Sequence, residues 1–133
     1  MPEYKNKLYA LANDRVHFIN FIADKAVLFG LIKLARLFVF PSTYEAMSMM
    51  LLEVASLCVP MLCSDIPENV SVLSEHARYF KSNDAQDLYT QLVKALTETT
   101  QMKDLAEKAH QWVIENYQWS KIVREYEEIY NAV

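Results

Sequence analysis

The order of apolar and polar positions divides the chain into short strand-like runs and longer helical ones. Four short runs predict strands, because compact apolar stretches bounded by turn residues are typical of buried strands. They are VHFIN (16–20), LFVFP (37–41), PMLCSD (60–65) and ARYF (77–80). Of the four, LFVFP is unbroken and stopped by proline, which favours a fully buried parallel strand.

The remaining segments carry a helical repeat. In the segment 84–98, for example, Leu88, Leu92 and Leu96 fall on one stripe, and Ser120 is a candidate N-cap for the last helix. The predicted helices cover 3–13, 23–35, 45–58, 68–75, 84–98, 101–117 and 120–133.

Strands and helices alternate as far as Phe80, and helices finish the chain. Such alternation indicates βαβ units. We therefore expect an α/β fold: a partial Rossmann-like parallel sheet of about four strands, with helices on both faces and a helical C-terminal tail. Residues 1–133 form one predicted domain, a size that suits a single core.

Composition excludes several classes of protein. The chain is 53% apolar and carries a formal charge of −4, so it can bury a core but offers no basic footprint for nucleic acid. No apolar stretch is long enough to span a membrane, and no secretory signal is visible. We expect a cytoplasmic protein, with peripheral contact to a membrane left open for the full-length protein.

Few residues offer familiar chemistry. Cys58 and Cys63 are expected to be reduced core residues, and the three histidines lack a metal-ligand spacing. No G-x-S-x-G elbow indicates a serine hydrolase. Gly30 is the single glycine, so a glycine-rich phosphate loop is excluded.

The stretch YEAMSMMLLE places two glutamates, Glu45 and Glu53, around a largely apolar run. If both were helical they would lie roughly 12 Å apart along the axis, too far to share a proton but suitable for gripping an extended ligand. The alternatives are a capping box from Ser42 to Glu45 and a solvated position for Glu53. The helix start offers the amides of Met47, Ser48, Met49 and Met50 to a phosphate.

The stretch from Phe38 to Leu73 resembles the donor-binding lobe of glycosyltransferase family four, the group-one enzymes with the GT-B fold. The family pattern is a strand ending in Pro-Ser, then E-G-F-G-x-x-x-x-E, then A-x-G-x-P-V-V-x-S. The residues that match it in order are Pro41, Ser42, Glu45, Glu53, Ala55, Pro60 and Ser64.

The resemblance implies a retaining transfer of sugar from a nucleotide-diphosphate donor to an acceptor not identified by the sequence, without cofactor or metal. It implies that Glu53 binds the ribose hydroxyls, that Glu45 is the catalytic residue beside the donor sugar, and that the backbone from Met47 to Met50 meets the phosphates. The expected product class is a glycan, glycolipid or polysaccharide.

The family's acceptor lobe, and the first strands of its donor lobe with their basic pair, have no counterpart in this sequence. We therefore expect a C-terminal part of a glycosyltransferase, inactive in isolation, which could form a homo-oligomer through an exposed sheet edge on VHFIN. Ala46, Ser48 and Cys58 stand where the family has glycine, and Glu68 where it often has one. These departures favour the alternative, a non-catalytic α/β domain that mediates protein contacts.

Overall fold

The computed structural model describes residues 2–132 and, of Pro2, the backbone alone. The described chain forms seven helices and three strands in the order α1 (Pro2–Leu11), α2 (Lys25–Leu34), β1 (Phe38–Phe40), α3 (Met49–Ser56), β2 (Met61–Ser64), α4 (Pro67–Leu73), β3 (Arg78–Phe80), α5 (Ala85–Thr97), α6 (Thr99–Asn116) and α7 (Trp119–Asn131).

The strands form one parallel sheet in the order β1-β2-β3. Phe38 pairs with Met61, and Leu62 pairs with Arg78. Every residue of β2 is buried, so both faces of the central strand are covered, as a parallel sheet requires. The α/β class and the parallel sheet with flanking helices are confirmed.

The core lies between the sheet and the helices that follow each strand. Helix α3 packs against α2, α4 and α6, and α5 packs against β2 and β3. Leu51, Leu62 and Leu73 are fully buried, and each such side chain contributes roughly 1.5–3 kcal/mol of transfer free energy. Helix α3 is therefore fixed from several sides, which matters because the site is built on it.

The predicted strand VHFIN is wrong, and the sheet has three strands rather than four. Residues 16–20 have no strand conformation, and Val16, Phe18 and Ile19 are exposed. An extended segment becomes a strand only where a neighbouring strand pairs with it, and the described sheet, β1-β2-β3, does not include residues 16–20. The segment instead folds back on α1, where the Phe18 ring lies 4.2 Å from the Tyr9 ring, centroid to centroid. The open edges of the described sheet therefore belong to β1 and β3.

Two helix starts also differ from the prediction. Helix α3 begins at Met49 rather than at Glu45, with Ser48 as its N-cap, so Glu45 lies in a loop and the capping box is excluded. Helix α7 has Gln118 rather than Ser120 as its N-cap.

The C-terminal helix α7 lies on the surface of the described chain and contributes no buried side chain to the core. None of its side chains within the described residues is buried, and the exposed apolar ones are Trp119, Val123, Tyr126, Ile129 and Tyr130. Across residues 2–132, no helix combines the length and the apolar character needed to cross a bilayer.

Cys63 lies in the core as expected, but Cys58 does not. Cys58 is exposed and adopts a left-handed backbone with φ of 57° just after α3. A residue in this position closes the helix, and glycine is preferred there because it has no Cβ to clash.

Candidate functional site

The loop from Pro41 to Ser48 connects the carboxyl end of β1 to the first turn of α3. Because the strands are parallel, the carboxyl ends of β2 and β3 lie at the same edge of the sheet, which is where open α/β sheets bind ligands. A cavity of about 380 Å³ opens beside this loop, lined in part by Pro41, Thr43, Phe80 and Asn83.

A buried set of hydrogen bonds, the serine–asparagine network of Ser42, Ser48, Ser64 and Asn69, holds the loop in place. The Ser48 hydroxyl donates to Asn69 Oδ1 at 2.6 Å, and Asn69 Nδ2 donates to Ser64 Oγ at 2.9 Å. Asn69 Nδ2 also lies 3.2 Å from the Ser64 carbonyl oxygen, and the Ser64 hydroxyl donates to the Ser42 carbonyl. Ser48, Ser64 and Asn69 are almost fully buried, so each polar atom depends on these partners.

The network has a consequence for the start of α3. A serine at an N-cap ordinarily accepts a bond from the second or third helical amide. Here the Ser48 side chain makes no such bond, and its hydroxyl donates to Asn69 instead. The Met49 amide donates to the Met47 carbonyl at 2.9 Å. Within residues 2–132, the amides of Met47, Ser48 and Met50 have no backbone or side-chain acceptor. These amides and the helix dipole favour an anion.

Glu45 is joined to this network through Ser42. The Ser42 hydroxyl donates to Glu45 Oε1 at 2.7 Å, while the carbonyl of Ser42 accepts from Ser64. Glu45 is half-buried, and no lysine, arginine or histidine among the described residues forms an ion pair with it. A carboxylate held in this way keeps accepting capacity for a further donor.

Glu53 lies on α3 with a partner from α2. The Lys25 ammonium is 2.6 Å from Glu53 Oε1, and the side chain of Glu53 is 23% exposed. The charge of Glu53, which is costly to bury, is therefore compensated by the ion pair with Lys25. This pairing explains how a glutamate is accommodated in a largely apolar helix.

Two further titratable groups lie close to the sheet but do not suit catalysis. Burial raises the pKa of the Cys63 thiol on β2 to about 12. Burial, followed by the charge of Cys63, raises the pKa of Tyr79, whose hydroxyl donates to the Ser74 carbonyl at 2.7 Å. Both groups stay neutral at physiological pH, so Cys63 is no nucleophile.

The structure thus places Glu45, the segment Met47–Met50 and Glu53 on one continuous loop and helix. Sequence reasoning missed Asn69 and Lys25. A lysine in the first turn of a helix opposes the helix dipole, and that misfit was the available signal for Lys25. No comparable signal marks Asn69. Among residues 2–132, no three His, Cys, Asp or Glu side chains converge in a way that could hold a metal.

Comparison with known proteins matches residues 3–125 to the family described as glycosyl transferases group 1. The chain is 32% identical over 102 residues to the serotype-specific mannosyltransferase WbdA of Escherichia coli. The aligned region covers 77% of this chain and 12% of the relative. The chain thus spans about an eighth of the length of the curated relatives it matches.

Solved structures agree on the fold. A sucrose-phosphate synthase from Thermosynechococcus elongatus superposes with a TM-score of 0.81 at 21% identity, over 99% of this chain and 34% of that one. A glycosyltransferase from Rickettsia africae gives 0.81 at 18%, over 98% and 36%. The C-terminal domain of a group 1 family glycosyl transferase (LpcC) from Francisella tularensis gives 0.72 at 18%, over 88% and 60%.

Proposed function

This chain belongs to the group-one glycosyltransferases, and from that membership we propose that it supplies the donor-binding part of a retaining transferase. The transferase moves a sugar from a nucleoside diphosphate to an acceptor in the synthesis of a glycan, glycolipid or polysaccharide. The observation that carries the proposal is the junction of β1 and α3, where a fixed glutamate, unpartnered helix amides and a second glutamate follow one another along the chain.

The phosphates of the donor fit the first turn of α3. The free amides of Met47, Ser48 and Met50 supply hydrogen-bond donors, and the positive end of the helix favours their negative charge. The Ser48 hydroxyl does not compete for these amides, because it donates to Asn69. The nucleoside diphosphate that leaves would be stabilised at its phosphates by the same amides, with no metal required.

The two glutamates then take different parts of the donor. Glu53 accepts hydrogen bonds from the ribose hydroxyls, and charge-assisted bonds of this kind are about twice as strong as neutral ones. Glu45 lies before the helix start, on the side of the phosphates where the sugar begins. There it contacts the sugar and stabilises the positive charge that develops as the bond from the anomeric carbon to the diphosphate breaks and the bond to the acceptor forms.

A saturation-transfer NMR screen of UDP, GDP and ADP sugars against the full-length protein tests the proposal. Mannose donors belong in the screen because the curated relatives are mannosyltransferases. We expect signal from one nucleotide class, with the ribose and phosphate-adjacent protons closest to the protein. Absence of binding by every donor would defeat the proposal.

The alternative is a non-catalytic domain of the same fold that mediates protein contacts. The exposed apolar face of α7, with Trp119, Tyr126 and Tyr130, favours it. Under this alternative no donor binds, and substitution of these aromatic residues by serine abolishes a protein association without any effect on nucleotide.

A further inference from the structure

We propose that Lys25 is a positioning residue for the nucleotide. It holds the Glu53 carboxylate in the orientation that the ribose hydroxyls require and neutralises that carboxylate next to a diphosphate. This inference rests on the proposed function of Glu53, and the experiment below separates the failure of one from the failure of the other.

The ion pair joins two helices that are far apart in sequence. Lys25 Nζ lies 2.6 Å from Glu53 Oε1, with the lysine 72% and the glutamate 23% exposed, so the glutamate is the inner partner. Pairs with one such exposed member add little to stability. Within residues 2–132, no group donates to Glu53 Oε2, which leaves that oxygen for a ligand.

Helix α2 gains nothing from a lysine at this place. Lys25 is the first helical residue, directly after the N-cap Asp24, whose carboxylate accepts from the amides of Ala26 and Val27. A cation here faces the positive end of the helix dipole and is unfavourable. The favourable contacts of the ammonium lie outside the helix backbone, in the carboxylate from α3.

The ring of Phe29 limits the directions that the lysine can take. The ammonium lies 5.5 Å from the centre of this ring, one turn further along α2, and Phe29 packs against the core. A cation over an aromatic face is attracted to it. The lysine is therefore held between a fixed ring and Glu53 rather than moving freely in solvent.

An ordered, neutralised carboxylate suits a ribose beside a diphosphate. Without Lys25, Glu53 would regain rotamers that must be lost again on binding, which would weaken binding several-fold. Its uncompensated charge would also repel the phosphates. Lys25 has three N–H donors, of which Glu53 uses one.

Calorimetric titration of the full-length protein with UDP, GDP and ADP, and with the 2′,3′-dideoxy analogue of the one that binds, tests the inference. Lys25→Met should weaken binding of the ribonucleotide about three- to tenfold and binding of the dideoxy analogue distinctly less, because the analogue loses only the charge compensation and not an ordered contact with Glu53. Lys25→Arg should restore most of the affinity. Lys33→Met, an equal loss of charge at the exposed last turn of the same helix, should have no effect.

The outcomes are distinct. If the wild-type protein binds no nucleoside diphosphate, both the proposed function and this inference are overturned. If Glu53→Gln weakens binding but Lys25→Met matches wild type, the inference alone is overturned. Equal weakening of the ribo and dideoxy nucleotides by Lys25→Met would also overturn it, because the lysine would then act only through charge near the phosphates and not by positioning Glu53 for the ribose. Thermal melting of each variant confirms that the protein is folded.

Discussion

The two glutamates of the site, Glu45 and Glu53, are held by different kinds of interaction. Glu45 is anchored through Ser42 to neutral, buried hydrogen bonds, whereas Glu53 is anchored by one ion pair whose lysine is largely in solvent. Buried hydrogen bonds are insensitive to salt and fix the backbone, while a partly exposed ion pair is screened and fixes only a side chain. The loop end of the site, around Glu45, is therefore rigid, whereas the side chain of Glu53 at the helix end, on α3, is adjustable.

The largest effect should come from Glu45→Gln in the full-length protein. If Glu45 stabilises charge at the reacting sugar, the catalytic rate should fall roughly 100-fold, with binding of free nucleotide almost unchanged. Steady-state kinetics beside calorimetry checks this. Glu68→Gln, at the first turn of α4, is the control and should leave the rate intact.

Asn69→Ala tests the rigidity of the loop end. It would leave the buried Ser48 hydroxyl without its acceptor and remove the donor to Ser64 Oγ, so the free energy of unfolding should fall by about 2 kcal/mol. Urea denaturation measures it. Ser71→Ala, on the exposed side of the same helix, is the matched control and should change stability by less than about 0.5 kcal/mol. Equal stability of the two variants would show that the network is not what holds the loop.

Glu53→Gln tests the adjustable end. Loss of a charge-assisted bond costs about 1.5–3 kcal/mol, so binding of nucleotide and of nucleotide sugar should both weaken about tenfold or more. Calorimetry with free nucleotide separates this from the Glu45 variant. Equally small effects from both substitutions would mean that the two glutamates are structural, and the site would be abandoned.

The smallest effect is expected at the far end of α3, where no ligand is proposed. Cys58→Gly should relieve the left-handed backbone and raise the free energy of unfolding by about 0.5–1 kcal/mol, without any change in nucleotide binding. Cys58→Ala removes the thiol but keeps the Cβ, so its stability should equal that of wild type. Gains of equal size in both variants would assign the effect to the thiol instead.

The sequence predicts strands correctly where the apolar run alone indicates a strand, without knowledge of which segment pairs with it. The strands β1, β2 and β3 were predicted from short, mainly apolar runs. The expected full burial of LFVFP is wrong, because β1 is an open edge of the described sheet and Val39 is exposed. VHFIN needs a neighbouring strand to become one, and a local pattern carries no information about that neighbour. The start of α3 was missed because the residue types after Glu45 are compatible with a helix. The contact that fixes its beginning joins Ser48 to Asn69, 21 residues away in sequence, and a local pattern does not show it.

For the candidate site, too, the residues that lie close together in sequence were predictable and their distant partners were not. Glu45, Glu53 and the amides between them were apparent as candidates because they lie on one short stretch. The partners that hold them come from elsewhere: Lys25 is 28 residues away in sequence, and Asn69 reads as an ordinary residue of a short helix. Side chains that orient a ligand-binding group are found by folding the chain, since no spacing rule links them.

Gly30, in the middle of α2, affects how often this helix opens locally, and α2 carries Lys25, the partner of Glu53. A Cβ at this position would meet nothing within 4 Å, so packing does not require the glycine, which costs a helix about 1 kcal/mol relative to alanine. Ile32 is the only buried residue of α2. Amide hydrogens of α2 should therefore exchange with solvent through local opening, well before those of α3 or α6. Each such opening separates Lys25 from Glu53 while the rest of the protein stays folded, so the ion pair is interrupted on the time scale of this local opening.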